Sequence, residues 1–253
     1  MTTRDQTSAV ALEQKRDDSN LLRALRPADY ELIAPYIEIS RQQAGALLYK
    51  PRDNVGTVYF PCAASLVSFL VTNEDGNDVE TVLIGREGAV GGIVSMGHLP
   101  AYCRIIVKFG GPFATLPIDR LEAAKRQSPS LRGLFGRYAD CLLAQILQST
   151  ACNAIHSIEQ RTAKWIISAM ERTGEHIVPL THEELASMLG VGRSYASRVV
   201  QTFKTDGILD TRRGALVVND RAALQARSCA CNKSVKEHFD EVLRGVYPDE
   251  FRD

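Results

Sequence analysis

The stretch Thr181-His182-Glu183-Glu184-Leu185-Ala186-Ser187-Met188-Leu189-Gly190-Val191-Gly192-Arg193-Ser194-Tyr195-Ala196-Ser197-Arg198-Val199-Val200-Gln201-Thr202-Phe203-Lys204 decides how this chain is read. Thr181 with Glu184 three residues on is a hydroxyl N-cap answered by a carboxylate, so two free amides at a helix start are capped reciprocally. Leu185, Ala186, Met188 and Leu189 follow at helical spacing and face a core. Gly190-Val191-Gly192 breaks this short helix with a turn. The second helix divides its surface, with Val199, Val200 and Phe203 on one side and Arg193, Ser194, Ser197 and Arg198 on another. A short helix, a glycine-bearing turn and a helix with a basic, small-polar outer face are the parts of a major-groove reader.

Beyond it, residues 207–219 place two short apolar strands around the basic turn Arg212-Arg213-Gly214, which suits a wing that contacts a DNA backbone. Residues 192–213 carry Arg193, Arg198, Lys204, Arg212 and Arg213 against Asp206 and Asp210, a local charge of +3. The whole chain of 253 residues has 30 basic and 30 acidic side chains. That neutrality argues against a nonspecific nucleic-acid coat and fits one localised phosphate-contacting face.

Upstream, residues 157–172 read as a buried helix carrying Ile158, Ala163, Trp165, Ile166, Ile167, Ala169 and Met170. Residues 129–156 read as one long helix, with Pro129 at its start and a length of roughly 40 Å at 1.5 Å per residue. Its stripe is Leu131, Leu134, Phe135, Tyr138, Leu142, Gln145, Ile146 and Ser149. Such a stripe can pack on its own domain or pair with its twin across a two-fold axis. Polar Gln145 and small Ser149 favour pairing, so these eight residues are the expected dimer interface. Between residues 21 and 117 the pattern changes to short β-branched and aromatic runs at 46–49, 57–60, 66–71, 78–84, 103–108 and 113–116, with turn signals between them. That spacing predicts an antiparallel sandwich or roll.

The expected fold is α+β. It comprises a disordered arm (1–20), a jelly-roll-like antiparallel β-roll (21–128), a long dimerisation helix (129–156) and a winged helix-turn-helix domain with one polar final helix (157–253). Residues 1–20 have no apolar run and do not form a signal peptide. No segment is apolar enough to span a membrane. The six cysteines are scattered without a Cys-x-x-Cys pair, which points to a reducing cytoplasm rather than a disulfide framework.

A β-roll, a long helix and a winged helix-turn-helix in this order resemble the Crp/Fnr family of bacterial transcription regulators, over roughly residues 21–228. The resemblance is strongest over the stretch quoted above. It implies a homodimer on palindromic double-stranded DNA, with RNA polymerase as a further partner. It places base reading on Arg193, Ser194 and Arg198, with Tyr195 and Ser197 alongside. An arginine there can bond guanine bidentately. Thr181, Lys204, Arg212 and Arg213 complete the expected DNA-contacting set. Ser194 stands where the family often has a carboxylate, so the operator sequence does not carry over.

The roll departs further from that pattern. Cyclic-nucleotide-binding relatives use a Gly-Glu pair for the ribose and a following Arg-Ser or Arg-Thr for the phosphate. Here Gly92 or Ile93 stands at the glutamate position, and Ala101-Tyr102 stands near the arginine position. Arg104 comes about three positions late. The resemblance leaves Glu87, Gly88, Gly91, Gly92, Tyr102 and Arg104 as the residues of a degenerate effector pocket, with no cofactor expected. A buried cyclic phosphate without its guanidinium loses charge-assisted bonds and keeps its desolvation penalty.

Other chemistry is sparse. No nucleophile elbow, phosphate loop or kinase signature is present, and the five histidines form no His-x-His pair, so an enzyme is not expected. An alternative is a thiol- or metal-responsive regulator acting through Cys103 or through Cys229 and Cys231. Zinc normally takes four ligands, and only His238 lies near the Cys229-Ala230-Cys231 pair in sequence, so no metal site is assigned.

Overall fold

A computed structural model describes residues 16, 18–74, 76, 78–93 and 99–247. The predicted arm falls outside these residues except at its end. Ser19 caps a short helix α1 (Asn20–Arg23), and both Ser19 and Asn20 are buried, so these two residues belong to the folded body rather than to an arm. Helix α2 (Pro27–Ile33) and a 3-10 turn (Ala34–Tyr36) lead into the roll.

The roll has two antiparallel sheets. Strands β1 (Glu38–Gln42), β7 (Gly111–Pro117) and β3 (Thr57–Pro61) form one, in the order β1-β7-β3. Strands β2 (Leu47–Tyr49), β6 (Arg104–Phe109), β4 (Leu66–Thr72) and β5 (Asp78–Ile84) form the other, in the order β2-β6-β4-β5. All six expected strands are present, and β1 is an addition. The sequence of β1, Glu-Ile-Ser-Arg-Gln, lacks an apolar alternation because its edge position leaves Ile39 exposed. Period-two alternation on β7 sends Phe113 into the interior between the sheets, while Ala114 and Leu116 face the helices behind.

Helix α3 (Ile118–Gln127), which the sequence pattern did not reveal, precedes α4 (Pro129–Ile155). The α4 start is fixed by Pro129 and by Ser128 Oγ, which accepts from the Leu131 amide at 3.1 Å. A Ser157–Gln160 capping box begins α5 (Ile158–Thr173). After β8 (Ile177–Val178) come α6 (His182–Leu189) and α7 (Arg193–Thr205). The predicted Thr181–Glu184 capping box is formed, and Gly190 at φ 66° ends α6 in the left-handed region. Strands β9 (Leu209–Arg212) and β10 (Ala215–Val218) pair Arg212 opposite Ala215, leaving Arg213-Gly214 as a two-residue turn.

The expected single polar final helix is two helices, α8 (Arg221–Arg227) and α9 (Cys231–Val242). The last is not polar throughout: Val235, Phe239, Leu243, Val246 and Tyr247 are buried in the same core as Leu21, Leu22, Phe135 and Tyr138. The C-terminal segment therefore returns to pack on α4 and the roll. Glutamate, lysine and aspartate positions on its outer side hid this stripe from a composition reading.

Candidate nucleic-acid interface and the junction above it

Helix α7 buries Ala196, Val199, Val200 and Phe203 against α5, α6 and the wing, which turns the opposite face outward. Arg193, Ser194, Tyr195 and Arg198 are exposed, and Arg198 lies over the Tyr195 ring at 5.3 Å from its centroid. A cleft of about 300 Å³ between α7 and the wing is lined by Thr181, Arg193, Arg212 and Gly214, among others. Three of the nine expected DNA contacts thus share one concave surface, and exposed Arg213 sits at its wing tip. Two others are already engaged. Ser197 is half-buried with its hydroxyl 3.1 Å from His182 Nδ1, and Lys204 donates to Thr211 Oγ1 at 3.0 Å beside Asp210 at 3.4 Å. These two shape the interface rather than stand free on it.

The six effector-pocket residues are not brought together. Glu87 is buried and paired with Arg172 of α5 at 2.8 Å. Gly88 lies so close to Tyr138 that an added Cβ would come 2.1 Å from its hydroxyl. Gly91, at φ 98°, packs on the Thr57 carbonyl, and Gly92 lies against the Ile118 side chain. Tyr102 is 86% exposed, and Arg104 bonds Asp78 on the outer sheet edge. Between the sheets, Tyr49, Val67, Val82, Ile84, Val107 and Phe113 form an apolar core.

The expected dimer stripe is corrected as well. Leu131, Phe135 and Tyr138 are fully buried within their own chain, with Tyr138 Oη accepting from the Ala89 amide at 2.9 Å and donating to its carbonyl at 3.2 Å. Gln145 is buried and donates to the Leu83 carbonyl at 3.1 Å. Leu134, Leu142 and Ser149 are half-buried, and only Ile146 of the eight is exposed. The apolar side chains that α4 does present outward are Leu143, Ile146, Leu147 and Ile155. Periodicity found the helix but picked its inner face.

Polar chemistry gathers at the junction of roll, α4 and α5. A cleft of about 70 Å³ there is lined by Glu80, Gln145, Trp165, Ser168 and Arg172 with other side chains. Glu80 accepts from Ser68 Oγ at 2.6 Å and from Trp165 Nε1 at 2.5 Å, and burial pushes its carboxyl above the usual range. The helix-turn-helix is tied to the roll by Lys108–Glu184 at 3.6 Å and by Ser187 Oγ donating to the Asp78 carbonyl at 3.3 Å. Beside this junction the structure also gathers Cys152, His156, Cys229 and Cys231, of which sequence spacing joined only the last two.

Residues 160–227 match the family model of the Crp-like helix-turn-helix domain. That segment is a Crp-like helix-turn-helix domain. Solved structures similar to this chain include FixK2 from Bradyrhizobium japonicum, at 14% identity and a TM-score of 0.65, covering 77% of this chain and 98% of that one. A putative regulator of the Crp/Fnr family from Eubacterium rectale gives 14% identity and a TM-score of 0.62, covering 83% and 98%. The c-di-GMP responsive global regulator CLP of Xanthomonas campestris gives 17% identity and a TM-score of 0.62, covering 77% and 100%. At such identities the likeness is one of fold. No curated protein matches this chain in sequence. No described helix of the chain is long and apolar enough to cross a membrane.

Proposed function

We propose that this regulator binds palindromic operator DNA as a homodimer, reading bases with the N-terminal half of α7 and holding phosphates with the wing. The observation that carries this reading is the shared cleft of Thr181, Arg193, Arg212 and Gly214, with Arg198 beyond it on the same helix. Arg193 and Arg198 are the base readers, because an exposed guanidinium at a helix start can engage guanine O6 and N7 together. Arg212 and Arg213, with Thr181 at the rim of the same cleft, are the phosphate contacts, which set register without carrying sequence.

The second copy covers the outer face of α4. Leu143, Ile146 and Leu147 stand exposed on successive turns, with Ile155 at the end of the same helix. Exposed apolar residues at three- and four-residue spacing make a coiled-coil seam, and a two-fold axis through it sets two α7 helices for half-sites about 34 Å apart. RNA polymerase is the partner such an operator-bound dimer would address, and the reducing cytoplasm is its proposed location. Selection of bound sequences from a random DNA pool tests the reading. A two-fold symmetric motif supports it, and unselective binding by the folded protein would overturn it.

A further inference from the structure

We propose that Cys152, His156, Cys229 and Cys231 form a tetrahedral Cys3His site for a soft divalent cation of the zinc class. Their ligand atoms all lie within 4.8 Å of one another. Cys152 Sγ is 3.6 Å from Cys229 Sγ, and Cys231 Sγ is 3.6 Å from His156 Nδ1. A tetrahedron with metal–sulfur bonds of about 2.3 Å has sulfur–sulfur edges of about 3.8 Å, and its sulfur–nitrogen edges are slightly shorter. The side chains are therefore already spaced as ligands of one ion. A disulfide uses two of the four and leaves Cys231 and His156 without a reason to converge.

The backbone brings them together from two places. Cys152 and His156 are one turn apart at the end of α4, where His156 is the C-cap. Cys229 and Cys231 lie where α8 hands over to α9, just past the residues matched by the helix-turn-helix family model. An ion there joins the end of the long helix to the exit of the reading head, across 77 residues of sequence. The three sulfurs form a separate buried cluster with no other core residue in it, which is a poor reason to bury thiols and a good one to bury ligands.

The surroundings suit a thiolate-rich site. Binding removes a proton from each of the three thiols to solvent, and three thiolates with a neutral imidazole around a divalent ion carry one net negative charge. Gln148 Nε2 donates to Cys231 Sγ at 3.2 Å, and the Cys231 amide, in the first turn of α9, donates to Cys229 Sγ. Such outer hydrogen bonds stabilise bound thiolates and orient the ligands. All four positions are protein ligands and most are buried, which marks a closed, structural site rather than a catalytic one. Softness of the set favours zinc over magnesium or calcium.

The site is independent of the DNA reading, and its test needs no DNA. The full chain is purified anaerobically, stripped with chelator and titrated with zinc alone. A parallel titration uses cobalt(II), whose visible spectrum reports coordination. We expect about one zinc per chain, with the intense absorption of tetrahedral cobalt and sulfur-to-cobalt charge transfer. Cys229→Ser and His156→Ala each weaken zinc binding by more than the roughly 10–100-fold contributed by an outer partner alone. Half-exposed His156 keeps the test open if the buried serine variant misfolds, and Cys103→Ser binds like the wild type. Absence of stoichiometric metal and of the cobalt spectrum in the folded chain overturns the proposal. Unchanged zinc affinity in His156→Ala, or a Cys152–Cys229 disulfide that persists under zinc, overturns it equally.

Discussion

The interior of the roll and the junction beside it are built in opposite ways. Between the sheets, Val67, Val82, Val107 and Phe113 leave an apolar core, and the residues that would form a nucleotide cassette are dispersed. At the junction, Glu80, Glu87, Gln145 and Arg172 are held by specific hydrogen bonds between elements far apart in sequence. An apolar core tolerates small changes of shape, whereas a buried polar network depends on every partner. The difference locates the sensitivity to substitution at the junction, where the roll meets the helix-turn-helix domain.

The strongest way to break that comparison is Arg172→Met. It strands Glu87 as a buried unpaired charge, and we expect a loss of about 3–5 kcal/mol. Adding Glu87→Gln should restore much of it, while a loss under about 1 kcal/mol in the single variant would place the pair among incidental contacts. Chemical denaturation reads both variants.

The two faces of α4 sharpen the comparison next. Leu142→Asp should unfold or strongly destabilise the chain, because that side chain packs on the roll and α9 side. Leu147→Asp, at a residue 63% exposed on the outer face, should stay folded yet fall in scattering mass toward a single 27.9 kDa chain. A folded Leu147→Asp dimer would move the seam elsewhere.

The helix-turn-helix was legible in sequence because its signals are local. The Thr181–Glu184 box, the Gly190 stop and the amphipathic α7 each lie within a few residues, and each formed as expected. The strand runs were legible for the same reason. What stayed hidden depends on distant partners. Tyr138 and Gln145 belong to a helical stripe whichever side it faces, and only the roll's Ala89 and Leu83 decide that it faces inward. The buried face of α9 and the meeting of Cys152 with Cys229 are likewise set by the return of the chain's end to α4. Of the proposed DNA-contacting residues, Arg193 and Arg198 could be read from periodicity, but the engagement of Lys204 by Asp210 required the wing register.

A subtler effect separates the regions by pH. Burial raises the Glu80 carboxyl in the folded state, so folding favours its protonated form. Its stabilising contribution is therefore complete below the ordinary carboxylate range and is lost as pH climbs from there through the raised folded value. Glu80→Gln keeps a hydrogen-bond partner for both Ser68 and Trp165, and it should flatten that decline in melting temperature. An unchanged pH profile would show that Glu80 is not the group responsible.

Within the roll, the smallest effect is expected. Cyclic AMP and cyclic GMP should give no calorimetric binding at micromolar concentration, since Glu87 is committed to Arg172 and Arg104 to Asp78. A dissociation constant below about 10 μM, some −7 kcal/mol, would mean that the roll builds a nucleotide site from other residues.

The most direct measurement of the central claim is sequence selection from a random DNA pool by the wild type beside Arg193→Ala and Arg198→Ala. Each lost bidentate contact removes roughly 1–3 kcal/mol of discrimination. The account predicts a two-fold symmetric motif for the wild type, degenerate at separate positions in each variant, with folding unchanged. The same motif at full strength in both variants would contradict it and place recognition outside α7.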